Sequence, residues 1–414
     1  MTKKEQYDVV VVGGGPSGAT AAQALAEEGR RVLMLERGMR IKPCGGAIPP
    51  KLIEEFDIPQ SQLLAHIKRA RIVSPSKRYV DMPIDGGYVG MVDRKDFDEW
   101  LRQRAASRGV DYRKGDFLRL TEAHDRVLIE YREQGAERGD VTHVETKLVI
   151  GADGANSMVA SQGLYNQPRL SMVSDRNEVL RFVPGENPMH HVAAYHEIVA
   201  APSASYDPER CDVYYDSRLS PDFYAWVFPH GDTISVGVGS AQKGFSLRQA
   251  VTDLRKATGL DEVETVRREG APIPLHPLRR WDNGRNVVVA GDAAGVVAPA
   301  SGEGIYYAML SGKLAASAVE QCLATGNPSA LKIARKQFMK HHGQTFRMLA
   351  MMQKYWYTKD DRRERFVRIC QDRDVQHLTW TAYMNKRLVR AKPVAHLRIF
   401  LKNVGHLTGI ASAT

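Results

Sequence analysis

The stretch from Tyr7 to Ala26, YDVVVVGGGPSGATAAQALA, constrains the fold more than any other part of the sequence. Residues 7–12 end in four consecutive valines. They are β-branched, apolar and too few for a core helix, so they predict a strand buried on both faces of a parallel sheet. That strand runs into a glycine turn in which Gly13, Gly15 and Gly18 form G-x-G-x-x-G. The first glycine permits the tight turn, the second lets backbone approach a pyrophosphate, and the third lets the following helix pack on the strand. Pro16 suits the first helical turn, where a missing N–H costs nothing. A lone glycine fingerprint is weak evidence, and the acid expected about 20 residues further on gives it value. Arg31 to Leu35 predicts the second strand, and Glu36 at its carboxyl end is placed to accept hydrogen bonds from an adenosine ribose. The competing explanation is a structural α/β turn with a surface glutamate. Strand, glycines, Ala-rich helix and acid in one register favour dinucleotide binding.

Composition excludes several classes. With 43% apolar and 26% charged residues, the 414-residue chain reads as an ordinary globular protein with room for two or three substructures. Cys44, Cys211, Cys322 and Cys370 lie far apart, without C-x-x-C or metal spacing, which predicts a reducing cytoplasm, no disulfide framework and no zinc site. Lys3 and Lys4 before an apolar run mimic a secretion signal, but Asp8 and the glycine turn break the run, so it reads as a strand. No uncharged apolar stretch reaches 18 residues, so no membrane-spanning helix is expected. The net charge of +10 is uneven: residues 331–414 hold 18 Lys/Arg against 5 Asp/Glu, and the rest of the chain 40 against 43. The basic character therefore belongs to the C-terminal part.

After the second strand, Ile41 to Pro50 (IKPCGGAIPP) is a proline-flanked loop of small residues, in which Gly45 and Gly46 offer amides to a flat ligand without side-chain obstruction. Cys44 in this loop reads, on its own, as a small apolar residue. Short strands and turns are predicted between Val73 and Val89, and a helix over Arg94 to Arg104 with Phe97 and Leu101 on one face. THVETKLVIGADG predicts another buried strand, which presents Asp153 and Gly154 beyond its carboxyl end. From about 160 to 280 the texture becomes aromatic and alternating, with CDVYYD, FYAWVFP and TISVGVG as strands of a mostly antiparallel sheet. Alternation puts Tyr224, Trp226 and Phe228 on one face, either as sandwich core or as a substrate wall. Asn286 to Gly304 returns to α/β texture: a strand ending in Gly291-Asp292, then Gly302 and Gly304 before a helix from Ile305 to Ala316 whose free amides suit an anionic or electron-rich edge. Residues 331–414 read as helices, and Val394, Leu397, Leu401 and Val404 follow helical spacing in a basic amphipathic segment, either core-packed or lying on a membrane surface.

Three nucleotide elements thus recur in order: GGGPSG with Glu36, then GADG at 151–154, then GDAAG at 291–295 followed by SGEGI. Their order resembles the flavoprotein hydroxylases, with a Rossmann-like FAD domain of the p-hydroxybenzoate hydroxylase type. Further matches at KPCGGAIP, VGMVDRKDFDEWL, YAWVFPHGD, SGEGIYYAM, MMQKYWYTKDDRRERF and AYMNKRLV make essentially the whole chain similar to the geranylgeranyl reductases of chlorophyll-type pigment synthesis, the bacteriochlorophyll branch above all. The fold class implied is α/β plus antiparallel β. Its FAD domain would be discontinuous (1–70, 94–160 and 281–330), with an inserted prenyl-binding sheet domain (71–93 and 161–280) and a basic helical region (331–414).

The resemblance implies site roles. Gly13, Gly15, Ser17 and Gly18 would hold the FAD pyrophosphate with Pro16 in their turn, and Glu36 the ribose with Arg37 beside it. Cys44, Gly45, Gly46 and Ala47 would lie along the isoalloxazine, with Arg94 near the phosphates and flavin chain. Asp153 with Gly154 would approach the adenosine side, Asp292 the ribityl-pyrophosphate side, and Gly304 with Ile305, after Gly302, the pyrimidine edge. Tyr224, Trp226, Phe228 and Pro229 match the Y-x-W-x-F-P motif that lines the family's prenyl pocket. The implied reaction is stepwise hydrogenation of isolated C=C bonds to phytyl, on geranylgeranyl diphosphate or geranylgeranyl-bacteriochlorophyll. NADPH or reduced ferredoxin would be the electron donor, and since no second complete G-x-G-x-x-G is present, NADPH would visit the flavin transiently rather than occupy its own fold. Cys44 and bound water are rival proton donors. A cytoplasmic protein with peripheral contact at the photosynthetic membrane through its basic tail, and no nucleic-acid partner, is expected. An aromatic hydroxylase or a halogenase on the same fold is the nearest alternative, although a halogenase should carry W-x-W-x-I-P where Tyr224 to Pro229 stand. A non-catalytic prenyl-pigment carrier is the other.

Overall fold

The computed structural model describes residues 5–38, 41–42, 44–123, 125–137, 139–165, 189, 191–202 and 206–386. The helical spacing noted at Val394 to Val404 lies outside them. Strands follow in the order β1 Glu5–Val12, β2 Val32–Glu36, β3 Ala47–Ile48, β4 Ala65–Ile67, β5 Arg69–Val73, β6 Tyr79–Pro83, β7 Val89–Met91, β8 Asp111–Ala123, β9 Arg126–Glu133, β10 Thr142–Gly151, β11 His191–Ala200, β12 Arg210–Tyr214, β13 Ala225–His230, β14 Thr233–Ser240, β15 Thr265–Pro274 and β16 Val287–Val289. The helices are α1 Pro16–Glu27, α2 Pro50–Glu55, α3 Arg94–Ser107, the single turn α4 Met158–Ala160, α5 Leu247–Thr258, α6 Ile305–Thr325, α7 Lys332–Trp356, α8 Asp360–Ile369 and α9 Arg373–Asn385. Helix α6 runs past the expected end at Ala316, because no Gly or Pro stands between Ala316 and Gly326, which closes the helix in the left-handed conformation.

Contacts divide the chain into two compact units, the described parts of 1–41, 95–191 and 272–346, and those of 42–94, 192–271 and 347–414. The first is built on a six-stranded sheet. Its strands β8, β2, β1, β10 and β16 pair in parallel, and β9 pairs antiparallel with β8 and β10. Val9 to Val11 and Leu33 are fully buried, as two-sided burial of parallel strands requires. Helix α1 is gripped from two sides. A Cβ on Gly18 would strike the carbonyl oxygen of Gly13, and one on Gly312 of α6 would strike that of Ser17.

The second unit carries a seven-stranded sheet, β15-β11-β14-β13-β12-β5-β6, and a small one, β3-β7-β4. The larger is antiparallel at β11–β14, β14–β13, β13–β12 and β5–β6, and parallel where β12 meets β5. One face packs Ala225, Val227, Ile234, Val236 and Val238 against Ala250, Val251 and Leu254 of α5. Residues 42–70, assigned from sequence to the nucleotide domain, belong by their contacts to this unit, since β3 and β4 pair only with β7 in the described structure and β5 pairs with β6 and β12. The basic region does not form a unit of its own; its described part is shared at Phe346.

Replacing Gly312 by alanine is expected to destabilise the protein by roughly 1–3 kcal/mol, because the new methyl group meets backbone on α1 rather than a movable side chain. A denaturant midpoint equal to that of the unaltered protein contradicts this packing.

Candidate functional site

In the first unit the glycine turn is tested by what a side chain would meet. A Cβ on Gly13 would collide with the Ala152 backbone, and its φ of 102° is one that L side chains rarely adopt. Gly15, by contrast, has nothing within 4 Å of the added Cβ position. It is the N-cap of α1 and has no side-chain capping bond, so the helix start is open at this position, as close approach of a pyrophosphate requires. Glu36 leaves β2 with Oε2 accepting from the Gly14 amide at 2.6 Å and Oε1 from the Gly38 amide at 3.1 Å. Arg102 of α3 donates to the Gly14 carbonyl at 3.2 Å. Arg37 is exposed and borders a cleft of about 430 Å³ with Gly38, Asp116, Arg132, Glu133 and Gln134.

Asp153 is occupied locally. It accepts from the Ser157 hydroxyl at 2.5 Å, the Met158 amide at 2.7 Å and the Val159 amide at 3.0 Å, capping α4, and burial raises its pKa against those bonds. Gly154 follows with φ 83°. On the other side of the turn, the Cβ site of Gly291 falls 2.8 Å from that of Ser17. Asp292 is buried in the turn Gly291–Ala294, and Gly304, the N-cap of α6, has its Cβ site 4.0 Å from Asp292 Oδ1. Gly302 adopts φ 64°, and Ile305 begins the helix. Gly13, Gly15, Ser17, Asp292 and Gly304 are thus arranged round one helix start, and this cradle fits a dinucleotide.

The second unit holds the other candidates. Cys44 is half-buried, and its Sγ accepts from the Gly46 amide at 3.4 Å. Ala47 opens β3 opposite Met91. Gly45 lies directly on the Phe228 ring, where a Cβ would stand 2.8 Å from Cδ2 and Cε2. Gly46, φ 71°, would meet His230 Nε2 and the Val92 carbonyl. These glycines are therefore required by protein contacts as well as by any flat ligand. Arg94, buried, begins α3.

Along β13, Tyr224, Trp226 and Phe228 form a row on the face opposite α5, with neighbouring ring centroids 6.0 and 6.3 Å apart. Pro229 pairs with Ile234 on the α5 side. Strand β14 makes room: Trp226 lies over Gly237, and Ser235 and Gly239 are the other small residues on that face. The sequence TISVGVGS, small residues alternating with Ile and Val, carried this signal. Sequence reasoning missed a buried polar chain behind the row. Trp226 Nε1 donates to Ser235 Oγ at 3.0 Å, His196 Nδ1 lies 2.9 Å from the same hydroxyl, and His196 Nε2 lies 2.6 Å from Glu269. Arg267 bonds Glu269 and Asp93, each at 2.6 Å. His230 is buried beside the Gly46 loop, its Nδ1 3.1 Å from the Phe228 carbonyl, which only accepts, so this nitrogen carries the proton. Burial pulls its pKa down to about 4.

Comparison with known proteins decides the family. Residues 60–338 match the FAD binding domain model, and residues 8–67 match that of FAD dependent oxidoreductases. The geranylgeranyl diphosphate reductase of Rhodobacter capsulatus is 52% identical, over 98% of both chains. The chain belongs to the geranylgeranyl reductase family of FAD-dependent oxidoreductases. The Synechocystis geranylgeranyl diphosphate reductase is 34% identical over 96% of this chain and 97% of its own. The solved geranylgeranyl bacteriochlorophyll reductase-like protein of Thermoplasma acidophilum superposes with a TM-score of 0.76 at 22% identity, covering 94% of this chain and 99% of that one. The flavin-dependent brominase Bmp2, TM-score 0.71 at 18% identity over 96% of this chain and 99% of its own, shares the fold. Within the family the chain binds FAD, in a mixed α/β domain with an inserted antiparallel sheet and C-terminal helices.

Two outcomes follow. Glu36→Ala is expected to lose FAD on gel filtration, read as flavin absorbance per protein, while remaining folded; full retention contradicts the ribose role. His230 has a folded pKa near 4 against 6.5 unperturbed. The stability it contributes is therefore complete above pH 6.5 and is lost as pH falls toward 4, about 3 kcal/mol in all. His230→Gln should flatten that acid limb of stability against pH, and an unchanged limb would place the loss in other groups.

Proposed function

We propose that this flavoenzyme hydrogenates the isolated double bonds of a geranylgeranyl chain stepwise to phytyl, on geranylgeranyl diphosphate or its bacteriochlorophyll ester. The observation that carries the reading is the contact of Gly45 with Phe228: within one unit, the loop matched to the isoalloxazine lies against the last ring of the aromatic row. Relatives named geranylgeranyl diphosphate reductase, aligned along nearly the whole chain, support the same substrate class.

A trisubstituted alkene without a carbonyl offers no polarised carbon, so reduction passes through a state with tertiary-carbocation character and needs a hydride and a proton. Reduced FAD, when bound, supplies the hydride. Tyr224, Trp226 and Phe228 supply what the cationic carbon needs: aromatic faces, each worth roughly 0.5–2 kcal/mol to a nearby cation. Their low directionality lets the chain slide between successive reductions. Cys44 is the proposed proton donor, and the Gly46 amide on Sγ favours the sulfur as it gives its proton up. NADPH or reduced ferredoxin would reach the flavin transiently. The excess of Lys/Arg in 331–414 suits an anionic membrane or an acidic redox partner at the periphery. Among the described residues no helix is long and apolar enough to cross a membrane.

Mass spectrometry after incubation of the protein with FAD, a low-potential reductant and either substrate in separate tubes should show gains of two, four and six hydrogens. Trp226→Ala should keep its FAD and lose most of this activity. Oxygen gain would move the protein to the hydroxylases, and unchanged substrate with reduced flavin would favour a carrier.

A further inference from the structure

The polar chain behind Trp226 joins four strands through side chains, in addition to the backbone pairing that holds β11 to β14 and β14 to β13. Ser235 is fully buried, His196 and Trp226 are 1% and 5% exposed, and the Glu269 side chain is 9% exposed. His196, Gly237 and Trp226 stand on one rung of β11, β14 and β13. We propose that Ser235, His196 and Glu269 are positioning residues for the reduction: they fix the Trp226 indole in the aromatic row and draw its N–H proton toward an anion, enriching the ring face offered to the substrate. This rests on the prenyl-reductase reading given above.

The direction of the chain follows from which atoms hold hydrogens. An indole nitrogen only donates, so Ser235 Oγ accepts from Trp226. His196 Nε2 faces the Glu269 carboxylate, which only accepts, and therefore carries the ring proton. In the neutral ring Nδ1 is then bare and accepts the Ser235 hydroxyl hydrogen. The donors run one way, indole to hydroxyl to imidazole to carboxylate, and hydrogen bonds in such a series polarise one another. A buried, low-dielectric setting strengthens the effect. Withdrawing the N–H proton leaves more electron density on the ring, the property that attracts a cation to its face.

The far end of the chain is tied to the flavin loop. Arg267 holds Glu269 through Nε and reaches Asp93, each at 2.6 Å. The neighbouring Val92 amide donates to the Gly46 carbonyl at 2.9 Å. One continuous set of bonds therefore sets both the tilt of Trp226 and the place of the loop carrying Cys44, which are the wall and the proposed acid of the same reaction.

The test uses full-length Ser235→Ala, Ser235→Thr, Glu269→Gln and Trp226→Phe. Ultraviolet resonance Raman of the substrate-free protein reports indole N–H bonding, and the Trp226 band is the one missing in Trp226→Phe. In Ser235→Ala this band should move to its weakly bonded position, and kcat on geranylgeranyl diphosphate should fall about tenfold, within the reach of one aromatic–cation contact, with KM within about twofold. Glu269→Gln keeps an acceptor and removes the charge, so a smaller loss, about threefold, is expected. Ser235→Thr retains the hydroxyl and should restore band and rate. An unmoved band with unchanged kcat overturns the proposal, and so does a Ser235→Ala defect in which FAD retention fails and threonine gives no rescue, since that is a folding role. If the unaltered protein adds no hydrogen to either prenyl substrate, the substrate reading fails, and with it the kinetic role; the band shift would then report only a fixed indole.

Discussion

Close approach of α1 to its neighbours is the constraint on which the first unit depends. The helix must begin within reach of β1 and β10 and still pass against α6, and a methyl group at Gly18 or Gly312 would meet backbone oxygen in either direction. Only when α1 is seated does Ser17 in its first turn stand against Gly291 of the Gly291–Ala294 turn, with the start of α6 beside Asp292 and Glu36 on the Gly14 amide. Packing thereby produces the site: the same absence of side chains that lets backbone meet backbone at Gly18 leaves an empty Cβ position at Gly15. A crowded glycine marks protein touching protein, and an empty one at a helix start marks room for a ligand.

The second unit uses the same device with rings in place of backbones. Large residues on the α5 face of β14 make its core, and Ser235, Gly237 and Gly239 on the other face leave the depth that Phe223 and Trp226 occupy. The row has to be apolar to be dry, and the indole nitrogen within it must be satisfied or cost about 1–3 kcal/mol. Ser235 meets that need. It passes the need on to His196, and the series stops only at charges, Glu269 with Arg267 and Asp93. A polar atom placed in an aromatic wall thus entails a buried network behind it.

The parts legible in the sequence were those whose partners are neighbours in the chain. The β1–turn–α1–β2 unit with Glu36, the alternation that puts Tyr224, Trp226 and Phe228 together, and the helix at Ile305 are local patterns. The hydrogen-bonded series from Trp226 to Asp93 draws on β13, β14, β11, β15 and the residue after Val92, and its last two members, Arg267 and Asp93, stand 174 positions apart, so no periodicity announces such partners. Asp153 shows the complementary difficulty. Its place after a buried strand was evident, but its carboxylate turns to Ser157, Met158 and Val159, because three short-range donors lie within reach of a side chain that burial would otherwise leave uncompensated.

The basic C-terminal part shows how far composition can mislead about partners. Arg363 contributes to the charge excess, yet it is fully buried. Its guanidinium donates to the carbonyls of Ser220 at 2.8 Å, Pro221 at 2.7 Å and Tyr357, and to Asp360 at 2.9 Å. Desolvation lowers its pKa, a cost offset by four bonds, of which the two to Ser220 and Pro221 fasten α8 to the loop entering β13. Next to this anchor, the Tyr215 and Tyr357 hydroxyls meet at 3.0 Å, and the Tyr215 ring stands 6.1 Å from Tyr224. The C-terminal helices therefore extend the aromatic row by packing, and Arg363 serves the protein's interior. Only the remaining, exposed basic residues can act on an anionic surface, so the number available for a membrane or an acidic partner is smaller than the sequence count.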